Sequence, residues 1–402
     1  MIKRHFYLEK LRNLRDLNVI KVVTGVRRCG KSTLLEQFCS ELKDQKSKVN
    51  IISYNLEEKE NKDIIKDSDT FYSSIMKSID PFKKNYVFID EVQMVPEFET
   101  VIDSLFVKGN IDIYITGSNA YMTSSEISTL LTGRYVEIKM LPLSFAEFRQ
   151  FFPNNFDKSE LFEFFLNYGG FPEVANFLVA KAKNQISDYL MAIYNTILEK
   201  DISIRADIRN MKSFRNVVRY LFDNIGNYTS PNNIANVLKN ANSSINKLTV
   251  ANYIESLQNS FIMYNASRFD IRGKKLLKTI EKYYVVDLGL VEAILGRPTT
   301  TNLGHRLENI VYLELLKRYG TVWVGKNYNK EIDFVIKNSQ NVIEYFQVSL
   351  SVVTKSTLDR EISGFKNTGD NFRKTLLTMD NFSANDNGIE RKNVIDWLLE
   401  YD

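Results

Sequence analysis

Short apolar runs alternate with longer amphipathic stretches through the first third of the chain. Val19 to Thr24 (VIKVVT) has the look of a short buried strand, and from Ser32 to Lys43 apolar residues recur at helical spacing. The alternation continues through NYVFIDE (85–91) and IDIYITGSNAYM (from Ile111), so residues 1–145 are expected to build a parallel sheet covered by helices on both faces. From about Ser144 to Asp201 the pattern turns helical and aromatic-rich (FAEFRQFFPNNF, LFEFFLNYGGF), with breaks at Gly169, Gly170 and Pro172, as in a small helical lid or connector over 146–205. Three amphipathic helices can then be drawn, at about Met211–Asn224, Asn232–Leu238 and Asn246–Asn259, followed by strand-like FIMYNASRF and the basic turn DIRGKKLLK. Two short helices with a turn between them and a hairpin after them describe a winged helix, placed at 206–283. No internal repeat and no long low-complexity linker interrupts the chain.

Between the first strand and helix lies TGVRRCGKSTLL, in which Gly25, Gly30, Lys31 and Ser32 fit the spacing G-x-x-x-x-G-K-[ST]. Glycines let such a loop wrap so that backbone N–H groups point inward at a phosphate, and the following helix adds the positive end of its dipole. Gly25, Val26, Arg27, Arg28, Cys29, Gly30, Lys31, Ser32 and Thr33 are therefore the expected nucleotide cradle. Lys31 would bridge the outer phosphates of ATP and Ser32 would ligate Mg2+. Arg27 and Arg28 cannot both face the phosphates, so at least one is expected to pack against the C-terminal half or a neighbouring subunit.

Downstream, NYVFIDE ends in two carboxylates. Asp90 is positioned to hold Mg2+ through water, and Glu91 to orient the water that attacks the terminal phosphate. Since the second carboxylate has no evident structural task, the pair favours hydrolysis over nucleotide storage. The third strand ends in Thr116, Gly117, Ser118 and Asn119. Asn119 is the residue expected to read the γ-phosphate; it is also suited to cap the next helix. Arg134, on a glycine turn before another strand, is either an arginine finger toward a neighbouring subunit's γ-phosphate or a surface turn residue.

Composition adds bounds. The 402 residues allow two or three domains, and Lys plus Arg exceed Asp plus Glu only by 53 − 49 = 4, so a polyanionic partner would need a local basic patch. Cys29 and Cys39 are the two cysteines, too few for a disulfide framework or a zinc site, and they fit a reduced cytoplasmic protein. Cys29 alone invites a redox-sensing role. The N-terminus is a charged amphipathic helix, and no run of 18 apolar residues marks a membrane span.

The runs TGVRRCGKSTLL, VFIDEVQ, ITGSNA, LLTGRYVEIKMLPLSFAEF, YGGFPEV, EKDISIRADI, EKYYVVDLGL, GHRLENIVYLELLKR and KEIDFVI follow one another in this order. In that respect the chain resembles a large group of prokaryotic AAA-superfamily P-loop ATPases. The resemblance implies an α/β chain with an AAA-like parallel-sheet domain, a helical and winged-helix middle segment, and a restriction-endonuclease-like α/β domain at 284–402. It also implies that a magnesium site of the last domain would comprise a helical Glu, an Asp opening one strand and E-x-K on the next. Glu308 and Asp333 match the first two, but Gln347 and Ser349 stand where Glu and Lys belong. A glutamine amide brings no charge to a cation and a serine cannot position the water, so cutting is not expected. Strand alternation turns Glu344 away from Asp333. Lys355 would have to swing back from a later element, and His305 is as readily a polar contact as a ligand.

Two functional classes follow. One is a AAA-type ATPase whose turnover moves the winged-helix and nuclease-like parts, acting on DNA or another nucleic acid, or on a protein partner, as a single chain or a homo-oligomer. The other is an ATP-dependent nuclease. If the winged helix reads DNA, Lys247, Thr249, Asn252 and Tyr253 would enter the major groove, and Arg272, Lys274 and Lys275 would meet phosphates. The alternative is a structural winged helix.

Overall fold

Five short, mostly buried strands assemble into the first sheet in a computed structural model that describes residues 2–44, 49–120, 131, 133–203, 208, 210–240, 245–296 and 302–400. The chain divides into two compact units, residues 1–140 with 259–261 and residues 141–258 with 262–402. The boundary expected at 205/206 lies outside the described residues.

In the first unit the strands are β1 (Ile20–Thr24), β2 (Val49–Asn55), β3 (Lys84–Asp90), β4 (Ile111–Gly117) and β5 (Tyr135–Lys139). Their order is β2-β3-β4-β1-β5, and every neighbouring pair is parallel. The helices are α1 (His5–Leu14), α2 (Lys31–Asp44), α3 (Ser68–Ser78) and α4 (Phe98–Val107). Leu34, Leu35, Phe38 and Leu42 form the buried stripe of α2, as the spacing predicts. Val22, Val87, Ile89, Ile113 and Ile115 of the sheet pack with Phe71, Ile75, Val101, Ile102 and Leu105 of the helices. Burying each such side chain is worth about 1.5–3 kcal/mol relative to leaving it exposed.

Lys21 is the exception inside β1. Fully buried, it pairs with Asp112 of β4, whose carboxylate also accepts from the Asp16 N–H and the Tyr114 hydroxyl, both at 2.9 Å. A buried charge pair persists only when its remaining hydrogen-bonding capacity is met, and here it is. This network lies at the end of β1 away from the glycine loop. At the other end, the parallel order brings the C-terminal tips of β1, β4 and β3 side by side.

The second unit opens with the helices Phe145–Arg149, Lys158–Tyr168, Pro172–Val179 and Ile186–Thr196, the last continuing as a π-helical turn over Ile197–Ser203. The helices Met211–Asp223, Pro231–Asn240 and Lys247–Asn259 follow, close to the ranges predicted from periodicity. The strands are β6 (Tyr228–Thr229), β7 (Met263–Asp270), β8 (Lys275–Val285), β9 (Val322–Asn327), β10 (Lys330–Lys337), β11 (Ile343–Ser349), β12 (Arg373–Thr378), β13 (Ala384–Asp386) and β14 (Ile389–Asn393). Among the described residues they form one mixed sheet, β13-β14-β12-β11-β10-β9-β7-β8-β6. The hairpin β7–β8 antiparallel pair is joined to the rest by parallel pairing of β7 with β9, so the sheet runs straight through the boundary expected at 283/284. Pairing satisfies an edge of β7 that would otherwise present unbonded N–H and C=O groups. Among the described residues no helix is long and apolar enough to cross a membrane.

Candidate functional site

The glycine loop leaves β1 at Thr24 and enters α2 at Lys31. Gly25 adopts φ 153°, and a Cβ there would lie 2.1 Å from the Met140 carbonyl oxygen, so the position excludes any side chain. Gly30 has φ 105° and Arg28 φ 69°. Lys31 is buried; its ammonium donates to the Gly25 carbonyl at 3.0 Å and the Val26 carbonyl at 3.3 Å, and stands 3.6 Å from Glu91. Arg27 donates to Glu57 at 3.0 Å and to the Ser118 hydroxyl at 3.4 Å. Arg28 is exposed. Thus the partners shown for Arg27 lie within its own unit. The loop is also tied from behind, by the buried Arg4 donating to the Cys29 carbonyl at 3.2 Å and by Glu137 of β5 accepting from the Thr24 hydroxyl at 2.6 Å. Neither tie was legible in the motif. Cys29 itself is fully buried, and burial pushes its thiol up, the opposite of what a redox sensor requires.

Two strands away, β3 delivers Asp90 and Glu91. The Asp90 carboxylate accepts at 2.5 Å from the Thr116 hydroxyl of β4, and the nearby Ser32 hydroxyl also favours its charge. Burial raises the Asp90 carboxyl above the ordinary aspartate value despite these bonds. Glu91 has left the strand for the left-handed region, φ 55°, which turns its side chain from Asp90 toward Lys31. Its N–H donates to the Thr116 hydroxyl at 2.9 Å, and its carboxylate accepts from the Ser118 hydroxyl at 3.1 Å and from Gln93 at 2.5 Å. Burial works against the Glu91 charge, but Lys31, Arg27, Gln93 and Ser118 outweigh it and hold the carboxyl below the usual glutamate value. Asn119 is buried at the tip of β4, beyond Ser118. The helix it was expected to cap lies outside the described residues.

Ser32, Asp90, Glu91 and Lys31 therefore meet at one point. Ser32 and Asp90 present the hydroxyl and carboxylate oxygens that a small hard cation takes, and Lys31 presents a point charge for phosphate. Arg134 does not join them. It precedes β5, whose Tyr135 is in register with Ile20, so it sits at the end of its own sheet opposite the glycine loop. There it pairs with Asp103 and lies over the Phe106 ring of α4.

The second unit holds its own charged cluster. Glu308, on the helix Leu303–Tyr319, and Asp333, on β10, are both buried. The Asp333 N–H donates to the Gln347 side-chain oxygen at 3.2 Å, and its carboxylate accepts from the Val348 N–H at 2.8 Å. Gln347 also donates to Glu361 at 3.3 Å. Ser349 stands apart, its hydroxyl donating to the Ser351 carbonyl, and Lys355 is exposed. A different lysine occupies the cluster. Lys282 of β8 lies 2.9 Å from Glu308 and 2.7 Å from Glu331, and Tyr284 donates to the same Glu308 oxygen at 2.6 Å. Burial opposes the Glu308 charge, but Lys282 leads the groups that hold it below the ordinary range; burial, with the charge of Glu308, drives Asp333 well above it.

The expected reading face for DNA is partly withdrawn. Tyr253 is buried edge-to-face on Phe214, with ring centroids 5.0 Å apart, and its hydroxyl is directed to the Asn210 carbonyl. Helical periodicity explains this: Val250, Tyr253, Ile254 and Leu257 form one stripe, and the ring follows the stripe inward. Lys247 and Asn252 remain exposed, whereas Arg272 stacks on Tyr328 at 3.8 Å and donates to the Asn367 carbonyl.

Against known proteins, residues 17–149 match the AAA domain family and residues 159–301 match a domain of unknown function. A protein of Haemophilus influenzae, described only as uncharacterized, is 37% identical over 409 residues, spanning 100% of this chain and 99% of the relative. A second uncharacterized protein, from Methanocaldococcus jannaschii, is 30% identical over 396 residues, spanning 94% of this chain and 85% of the relative. Among solved structures, a Walker-type ATPase of Pyrococcus abyssi superposes with a TM-score of 0.51 at 15% identity, covering 73% of this chain and 96% of that one.

Proposed function

The chain belongs to the family of the H. influenzae and M. jannaschii proteins and carries an AAA-type P-loop ATPase fold; from that premise we propose that it binds and hydrolyses ATP with Mg2+ and applies the turnover to nucleic acid. One observation carries the hydrolytic part: Glu91 is turned out of β3 by its left-handed backbone and held as a carboxylate by Lys31, Gln93 and Ser118, beside an Asp90 bonded to Thr116. Gly25 to Thr33 would wrap the phosphates, Lys31 would meet the outer two, and Ser32 and Asp90 would hold Mg2+, which would supply positive charge against the phosphates. Glu91 orients the attacking water and takes its proton. Asn119, buried just beyond the tip of β4, would read the terminal phosphate.

The second unit is read as a winged helix followed by a nuclease-like core that does not cut. Supporting this are the three helices with the hairpin β7–β8, and the neutral Gln347 beside Asp333. An ATP-dependent nuclease is the second reading, and Lys282 weighs against it by filling the carboxylate cluster.

Lys31→Ala should abolish tight nucleotide binding, and Glu91→Gln should retain binding while turnover drops by about 10² or more, the usual scale of general-base removal. Titration with a fluorescent ATP analogue and a phosphate-release assay read the two effects. Undiminished affinity in the first variant, or normal hydrolysis in the second, overturns the assignment.

A further inference from the structure

We propose that the Lys282 ammonium takes the place of a divalent cation in the Glu308–Glu331–Asp333 cluster, making it an internally neutralised centre that excludes metal. The inference rests on the reading of the C-terminal core as nuclease-like, because that is what makes metal the expected occupant. The residues present do not fit one. A small divalent ion needs its ligand oxygens free and turned inward, yet Glu308 already accepts from both Lys282 and Tyr284 through the same oxygen, and Asp333 is held by the Val348 N–H. Among the described residues no group of three or more His, Cys, Asp or Glu side chains could hold a metal ion.

The ammonium does what the metal would otherwise do electrostatically. Its nitrogen lies within 3 Å of two carboxylates on different elements, 2.9 Å from Glu308 of the helix Leu303–Tyr319 and 2.7 Å from Glu331 of β10. Three donors on one nitrogen can serve both at once. The lysine also arrives from the opposite direction to the one the nuclease pattern uses. It comes from β8 of the hairpin, not from β11, where Ser349 stands. Metal chemistry is thereby exchanged for a fixed cross-link: hairpin, helix and β10 are held by one buried cation whose removal leaves uncompensated carboxylates.

The test uses the full-length protein without nucleotide, titrated with Mn2+ and followed by the electron paramagnetic resonance signal of the free ion. In the wild-type background, Glu308→Gln and Asp333→Asn should leave Mn2+ binding unchanged, since neither residue serves a metal. Lys282→Met should gain a site at least about tenfold tighter than any in wild type, roughly 1.4 kcal/mol, and Lys282→Met with Asp333→Asn should lose it. If Lys282→Met is too unstable to titrate, its melting temperature should rise with Mn2+ while that of wild type does not. Loss of wild-type Mn2+ binding in Glu308→Gln or Asp333→Asn overturns the proposal, as does a folded Lys282→Met that gains nothing. Metal-dependent cleavage of plasmid DNA by wild type, abolished by Asp333→Ala, would instead overturn the non-cutting reading beneath it, so the two failures are separable.

Discussion

At the scale of single residues, the geometry of the two candidate acids hangs on a hydroxyl of the neighbouring strand. Thr116 donates its proton to Asp90 and accepts the N–H of Glu91, so one hydroxyl sets the angle between the two acids. Thr116→Val keeps the β-branched shape but strands a buried N–H, a loss of about 1–3 kcal/mol in typical cases. Nucleotide affinity should barely change, because the loop and Lys31 are untouched, while kcat falls by about 10–100-fold, the range seen when an outer partner of a reactive group is removed. Phosphate-release kinetics alongside a direct binding titration separate the two effects, and an unchanged kcat would reduce Thr116 to a packing residue. The opposed fates of the acids have a pH corollary. Glu91 is held below its ordinary value, so its pairing with Lys31 contributes stability above the unfolded glutamate range and loses it only as pH falls through the lower folded value. Thr116 was visible in the sequence as a polar residue ending an apolar strand. That its partners would be Asp90 and Glu91 was not, because they sit at the end of the neighbouring strand and their bonds depend on the β3–β4 register.

At the scale of elements, local signals were legible and distant pairings were not. The glycine loop, its flanking strand and helix, and the helices of 211–259 could be read from contiguous residues whose spacing carries its own geometry. YGGF and VVDLGL could be noticed as motifs but not explained, since their meaning is a contact across 117 residues of chain. Asp287 accepts from the Gly170 N–H at 2.6 Å and the Gly289 N–H at 2.9 Å, and so binds the end of the helix Lys158–Tyr168 to the start of Leu288–Leu295. Gly169 adopts φ 78°, and a Cβ on it would stand 1.9 Å from the Asp287 carboxylate. Gly169→Ala should therefore cost roughly 2–5 kcal/mol, the sum of the left-handed backbone penalty and a forced displacement in a packed site. Gly388, at φ 79° with nothing within 4 Å of its Cβ position, supplies the control. Gly388→Ala carries only the backbone part, about 1–2 kcal/mol. Chemical denaturation of both variants measures the difference, and equal losses would show that the Asp287 contact gives way freely. Lys282 escaped the sequence reading for the same reason as Asp287. It lies on a hairpin assigned to a different domain from the carboxylates it joins, and only the β7–β9 pairing puts both in one sheet.

At the scale of the whole molecule, the net charge of +4 says little about a partner, so the question passes to where cations gather. The expected reading helix offers few, with Tyr253 turned inward and Lys247 standing beside exposed Leu248. A cleft of about 520 Å³ in the second unit offers more: Lys212, Arg215 and Arg219 project from one face of the helix Met211–Asp223, alongside Tyr194 and Met191, and among the described residues no carboxylate lines it. Arg219 donates to the Ile294 carbonyl at 3.2 Å, which orients it, while no salt bridge to a carboxylate ties Lys212 or Arg215 among the described residues. Residues i, i+3 and i+7 repeat along the helix axis at about 1.5 Å per residue, so the three charges span about 10 Å, about three phosphate steps of roughly 3.4 Å along one strand. The full-length protein is therefore expected to bind a labelled DNA duplex with an affinity that falls steeply with salt. Lys212→Glu with Arg215→Glu should weaken it by about tenfold or more and reduce the salt slope by roughly two phosphate contacts, whereas Lys247→Glu should do much less. Fluorescence anisotropy at several salt concentrations reads affinity and slope together. A duplex bound equally well by the double variant would move the contact elsewhere on the surface. Absence of binding to duplex, single-stranded DNA and RNA alike, with ATP turnover unchanged by all three, would make the partner a protein.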